Sequence, residues 1–310
     1  MSRRPERSAR DKLLRGVYAV GWRVAARIPE PVAETLCRVG ARLTTTFGSR
    51  APVASALGTW RHNVSVLIGR PCPDDLVRRG VASYLRTFYQ VLALARWSRE
   101  QIHRRVALIN DDALRAALTG PGAVVVLPHS GNWDLAGAFA CLDLRPVSTV
   151  AEELGDGEFA AFTAFREGLG MEVIAHTDPA ALPKLITAVR DGRLVCLLGD
   201  RDLPGTGLPV IWPLPGDPVI TTMPAGPAVV ARRTGAALIP AVTRFRGTGL
   251  EVVLGPPVTH RPGRDGLVAM TQQVCDFFAA ELPRQPEDWH MFQPFFPAAA
   301  AAPTGTVAPA

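Results

Sequence analysis

The chain has 310 residues, is 47% hydrophobic and carries a formal net charge of +6, enough apolar material for a large core, which excludes a disordered protein. No run of about 18 apolar residues occurs, which excludes a spanning helix, and the charged start "MSRRPERSARDKLLRG" lacks the apolar core of a secretory signal. Five cysteines (Cys37, Cys72, Cys141, Cys196, Cys275), odd in number and without a C-x-x-C pair, indicate neither a disulfide framework nor a zinc ribbon and fit a reducing compartment.

In chain order, helices come first. A basic arm, residues 1–11, precedes "DKLLRGVYAVGWRVAARIP", whose Leu13, Leu14, Val17, Val20, Val24 and Ala25 fall near helical spacing between arginines. Further helices are predicted over 31–46, about 52–67, and from "PDDL" through Trp97. Residues 1–105 hold 20 Lys/Arg against 7 Asp/Glu, whereas 106–310 hold 14 against 21, so the positive charge belongs to the helical third. Basic, amphipathic and punctuated by Trp22, Trp60 and Trp97, this third suits an anionic membrane, nucleic acid or an acidic partner, or it serves only as a cap packed on the remainder.

From residue 120 the pattern alternates. "AVVVL", "PVSTV", "MEVI", "RLVCLL", "LPVIWPL", "AALIPAVTRF" and "LEVVLG" read as strands, with helices about 133–142, 156–169, 179–191, 223–235 and 265–281. The spacing in "AALIPAVTRFRGTGLEVVLG" is that of an antiparallel hairpin. The expected fold is therefore α/β, a mixed central sheet flanked by helices with an N-terminal basic helical region. Residues 12–297 are read as one domain, 12–105 facing a membrane and 106–297 carrying the chemistry, and the Ala/Pro tail 298–310 as disordered.

The stretch "VVVLPHSGNWDLAG" carries the chemical signal. It sets His129 in the turn between a buried strand and a helix, where open α/β sheets place their ligand sites. A neutral imidazole there can take a proton from a hydroxyl if a carboxylate fixes its other nitrogen. Two carboxylates are candidates: Asp134, five residues on, and Asp200, at the end of another predicted strand. "TVAEELGDG" and "VCLLGDRDLPGTG" place Glu152, Arg201 and Asp202 after strands as well, and "FREGLGMEVI" puts Arg166 on a helix before one. Backbone amides at the start of the helix after Gly131 are candidate oxyanion donors. Trp212, Phe139 and the hairpin offer apolar surface for a long chain. His103, His176 and His260 are isolated, His290 in "EDWHMFQP" is read as structural, and no spacing supports a metal site.

Taken together, these stretches resemble the glycerolipid acyltransferase superfamily with its H-x-x-x-x-D/E signature. They look most like the phosphatidylinositol mannoside acyltransferases, relatives of the lipid A late acyltransferases. The resemblance runs in order from "YAVGW" through "LPHSGNWDLAG", "TVAEEL", "FREGLGMEVI", "VCLLGDRDLPGTG" and "MPAGPAVVARRTGAALIPA" to "EDWHMFQP". It implies a peripheral enzyme on the cytoplasmic face of the membrane that moves a fatty acyl group from acyl-CoA, a co-substrate, to a sugar hydroxyl of a glycolipid, without cofactor or metal. It further implies that His129 is the catalytic histidine, Asp134 the signature aspartate, and Asp200 the histidine's partner. Glu152 and Arg166 fall on the family's polar pocket, and Arg201 and Asp202 complete the candidate substrate-binding set. The resemblance also leads to a glutamate where this chain has Asp200, a side chain one methylene longer.

The rival reading is a non-catalytic α/β protein that binds an anionic membrane or nucleic acid through its basic third. It leaves unexplained why His129, Glu152, Arg166 and Asp200 all stand at predicted element ends.

Overall fold

The structure, a computed structural model, describes residues 24, 27–48, 51–153, 158–202, 205–214 and 217–297. The predicted basic arm, nearly all of the helix predicted over 11–29, and the Ala/Pro tail lie outside the described residues.

Helices α1 (Glu30–Phe47), α2 (Ala51–Leu67) and α3 (Asp74–Leu94) come first. Asp74 and Asp75 occupy the first turn of α3, after Pro73, where the helix dipole favours negative charge. A short helix α4 (Arg99–Arg105), not foreseen in the sequence, opens on a capping box. The Ser98 hydroxyl accepts from the Gln101 amide, and the Gln101 side chain accepts in turn from the Ser98 amide.

The α/β part runs β1 (Val106–Ile109), α5 (Asp112–Leu118), β2 (Ala123–Leu127), α6 (Trp133–Asp143), β3 (Val147–Ala151), α7 (Glu158–Gly168), β4 (Glu172–Ala175), α8 (Ala181–Arg190) and β5 (Leu194–Leu198). It continues with β6 (Leu208–Trp212), β7 (Val219–Met223), α9 (Gly226–Thr234), β8 (Ala237–Arg246), β9 (Gly249–Leu254) and α10 (Gly263–Glu281). Two single 3-10 turns follow, Leu282–Arg284 and Pro286–Asp288.

Seven strands form the central sheet in the order β1-β9-β8-β2-β5-β3-β4. All neighbours are parallel except β8 and β9, which form the expected antiparallel hairpin. β2 lies in the middle with all five residues buried, as a strand covered on both faces requires. The fold is thus a mixed α/β sheet flanked by helices, as expected. Two details differ. "LPVIW" leaves the main sheet and pairs antiparallel with β7 in a separate two-stranded sheet. β7 itself, "VITTM", occupies the approach to the predicted helix 223–235, which starts only after Pro224, because that proline and the β-branched run favour extended backbone.

Candidate active site

His129 lies two residues beyond β2, and Asp200 two residues beyond β5. In the parallel pairing Leu127 stands opposite Leu198, so both side chains emerge at one edge of the sheet. The Gly199 amide extends the pairing by donating to the Leu127 carbonyl at 2.8 Å. A Cβ on Gly199 would stand 2.4 Å from Cγ2 of Val126, so only glycine lets the end of β5 come this close to β2.

That approach decides between the two candidate carboxylates. Asp200 Oδ1 lies 2.5 Å from Nδ1 of His129, and Oδ2 accepts from the His129 amide at 2.8 Å and from Nε1 of Trp289 at 3.0 Å. Burial alone would drive the Asp200 carboxyl toward its neutral form. The charge on His129 and the bonds from His129 and Trp289 outweigh it and hold the group below the usual carboxylate range. An ionised Asp200 only accepts, so Nδ1 of His129 carries a proton, and in the neutral ring the lone pair is on Nε2. The aspartate is 1% exposed and the His129 side chain 16%, so the imidazole is the part that solvent and substrate reach.

Asp134 points elsewhere. It accepts from Nε of Arg166 at 2.6 Å and from Nη2 at 3.2 Å, a two-point ion pair between α6 and α7. The Asp134 charge, working against burial, raises the Arg166 pKa further above its ordinary value. Since both partners are largely buried, removing one leaves a desolvated charge. Asp134→Ala is therefore expected to destabilise the fold by about 3–5 kcal/mol, read from denaturant midpoints, whereas Asp134→Asn should cost less by keeping one acceptor.

The remaining candidates do not form one cluster. Arg201 reaches Glu152 at 3.2 Å, both partly exposed. Asp202 turns back to accept from the amides of Thr206 and Gly207, so its carboxylate holds its own loop. Of the expected apolar surface, Phe139 lines a cavity of about 80 Å³ between the sheet and α6, together with Leu127, Trp133, Val252, Asp134 and Arg166. Trp212 does not line it; it is buried in an aromatic cluster with Trp289, Phe295 and Phe296.

A supporting strap was missed from sequence. Residues 288–290 pair with the turn that carries His129: the Gly131 amide donates to the Asp288 carbonyl at 2.9 Å, and the His290 amide to the His129 carbonyl at 2.7 Å. From α3, Thr87 donates to the Gly131 carbonyl at 2.7 Å, and Gln90 accepts from Asn132 at 3.1 Å. Asn132 in turn caps α6 by accepting from the Leu135 amide. Gly131 takes φ +51°, and a Cβ there would meet Thr243 at 2.9 Å. Ser130 accepts from the Thr243 amide at 3.3 Å, which turns its hydroxyl into the sheet. The one sequence signal for the strap was Trp289 itself, since a buried indole N–H requires an acceptor.

Comparison with known proteins identifies the family. Residues 2–297 match the family described as "Bacterial lipid A biosynthesis acyltransferase". A phosphatidylinositol mannoside acyltransferase of Mycolicibacterium smegmatis is 37% identical over 284 residues, covering 89% of each chain. Two of Mycobacterium tuberculosis strains, bearing the same name, are each 34% identical over 286 residues, or 89% of this chain and 86% of theirs. Matches of this extent make the chain a member of the bacterial lipid A biosynthesis acyltransferase family, and hence an acyltransferase.

Proposed function

We propose that the protein transfers a fatty acyl group from acyl-CoA to a sugar hydroxyl of a glycolipid, a mannose of phosphatidylinositol mannoside, at the cytoplasmic face of a membrane. The observation that carries the chemistry is the largely covered but still accessible imidazole of His129 on the fully buried carboxylate of Asp200. The acceptor class is drawn from the names of the relatives.

In this reading Nε2 of His129 takes the proton from the acceptor hydroxyl as its oxygen attacks the thioester carbonyl. Asp200 holds the Nδ1 proton and compensates the imidazolium that forms. The tetrahedral intermediate then collapses, the carbon–sulfur bond breaks, and His129 returns the proton to the departing thiol. No acyl-enzyme is required. Among the described amides of the turn, those of Ser130 and Gly131 are engaged by Pro128 and Asp288, so the amides from Asn132 to Asp134 at the start of α6 are the candidates to receive the oxyanion. An acyl chain entering the cavity beside Phe139 gains about 0.8 kcal/mol per buried CH₂. Arg201 and the basic helices are suited to the phosphates of coenzyme A, with Arg166 already committed to Asp134. Release of free thiol from acyl-CoA that depends on added glycolipid, with an acylated glycolipid as product, tests the proposal.

The membrane part of the reading rests on α1. Val32, Leu36, Val39, Leu43 and Phe47 recur at intervals of three or four along one face, and each is 45–73% exposed. Ala33 and Ala41 are buried on the opposite face, against α3, where Gly40 lies close to Leu85. An apolar stripe facing outward beside exposed Arg38 and Arg42 suits insertion at the boundary between headgroups and acyl chains. Among the described residues no helix is long and apolar enough to cross a membrane. Vesicles containing anionic lipid should bind the protein and release it as salt rises. The double variant Leu36→Glu, Leu43→Glu should bind at least about 10-fold more weakly at unchanged melting temperature, since both side chains are already exposed. Equal binding of the variant contradicts the docking face, and salt-sensitive binding to DNA but not to vesicles favours the non-catalytic reading.

A further inference from the structure

Away from the cavity beside Phe139 the molecule carries a second and much larger opening. A groove of about 760 Å³ lies between the end of α2, the start of α3, the residues after β6, α10 and the 3-10 turns that lead into the strap. Its wall is apolar, formed by Leu67, Ile68, Leu76, Leu214 and Ala279 with three prolines. Its polar groups are all charged: the guanidinium groups of Arg70, Arg79 and Arg284, and the carboxylate of Glu287. Among the described residues no aromatic, hydroxyl or carboxamide side chain lines it.

The charges do not cancel within the groove. Arg79 reaches Asp75 at 2.6 Å and Glu287 at 3.3 Å, so the carboxylate of the lining is already paired. Arg284 lies 3.4 Å from Glu281, which is not part of the lining, and its side chain is 64% exposed. An exposed pair of this kind contributes little, and the guanidinium stays open to a better anion. Arg70 is exposed, and its side chain has no hydrogen-bond or ion-pair partner among the described residues. Two guanidinium groups, Arg70 and Arg284, are therefore free to receive a negative charge beside an apolar wall.

These features select the ligand. A guanidinium fork matches the oxygens of a phosphate, and a surface of Leu, Ile and Pro matches hydrocarbon. A nucleotide calls for an aromatic face on which its base can stack, and a sugar for several hydroxyl or amide partners; the lining supplies neither. What remains is an amphiphile with a phosphate head. We propose that this groove binds an anionic phospholipid, with its phosphate on Arg70 and Arg284 and an acyl chain along Leu67, Ile68 and Leu214.

The groove is separate from the active site but shares its supports. Leu76 and Arg79 line it from the same face of α3 that bears Ser83, Thr87 and Gln90 at helical spacing. Those three hold Asp288, Gly131 and Asn132. At 1.5 Å per residue, Thr87 stands about 12 Å along the helix from Arg79. Pro286 and Glu287 line the groove and belong to the turn that ends in Asp288, so a lipid seated here touches the foot of the strap.

The probe is dioctanoyl phosphatidate below its micelle concentration, which meets the protein as single molecules, with binding read by titration calorimetry. It should bind at least about 10-fold more tightly than dioctanoyl phosphatidylcholine, whose head has no net charge, and than inorganic phosphate, which leaves the apolar wall uncovered. Arg70→Gln combined with Arg284→Gln should weaken it about 10-fold at unchanged melting temperature, because both side chains are exposed. The α1 variant Leu36→Glu, Leu43→Glu should bind this soluble lipid as wild type does, which separates the groove from the membrane-docking face. The proposal is overturned if phosphatidate does not bind, if phosphatidylcholine or inorganic phosphate binds equally well, if the arginine variant binds undiminished, or if the α1 variant loses the lipid. Should the double arginine variant fail to fold, Arg70→Gln alone, which has no partner to lose, takes its place under the same criterion. None of these measurements involves acyl transfer, so their outcome is independent of the reading given above for the active site.

Discussion

Replacing His129 with alanine should leave a folded protein whose transfer rate is lower by at least about 10²-fold, the lower end of what a positioned general base contributes. The fold survives because the side chain stands in a turn, 16% exposed, and adds little to the core on either face of the sheet. The turn keeps its backbone bonds, since those to Asp288 and from the His290 amide involve main-chain atoms. One cost is specific. Asp200 loses its Nδ1 partner and retains the His129 amide and the Trp289 indole, so its carboxyl should rise in pKa. Thiol release coupled to glycolipid acylation, measured with the melting temperature, checks the result. A soluble variant that transfers at the wild-type rate would remove His129 from the mechanism.

Asp200→Asn should lower kcat by about 10²-fold or more with little change in acyl-CoA affinity, because it keeps the shape and removes the charge that compensates the imidazolium. The amide also brings a donor to a place that already receives N–H groups from His129 and Trp289, so the imidazole risks the wrong tautomer. Asp200→Glu is the sharper test. If the aspartate were too short for its partner, glutamate would raise activity. The 2.5 Å contact shows that it is not too short, and at 1% exposure another methylene would have to be fitted among buried neighbours. The glutamate variant is therefore expected to be slower than wild type and less stable, typically by 1–3 kcal/mol from overpacking. An activity gain would contradict this account of the site.

The shorter acid and the glycine before it belong together. Gly199 lets the end of β5 close on Val126, and that approach makes up the reach that a longer side chain would otherwise supply. The sequence "GDRD" carries both halves of this arrangement, but its meaning depends on β5 pairing with β2 in one register. Spacing along the chain contains no such register, which is why Asp134, five residues from His129, and Asp200 stood as equals. The strand-turn-helix around His129 was legible because a buried β-branched run ending at Pro128 has few other uses. The hairpin β8–β9 was legible for the same kind of local reason. β1, which follows α4 without a break, and β7, whose two flanking prolines read as loop, were missed for their surroundings, since strands as short were read elsewhere. The strap was invisible because its meaning lies in backbone bonds to a turn far away in the chain.

That distance has a consequence for the order in which the protein becomes active. Trp60 donates to the carbonyl of Trp289 across 229 residues, and Ser83 meets His290 across 207. During synthesis, β2 and β5 can pair, and His129 can find Asp200, while the strap is still inside the ribosome. Until Trp289 emerges, however, Asp200 lacks its indole donor and the His129 carbonyl has no amide to hold it. Contacts of such long sequence separation form late and slowly. A nascent chain should therefore remain unable to transfer an acyl group until its strap has been translated and has docked.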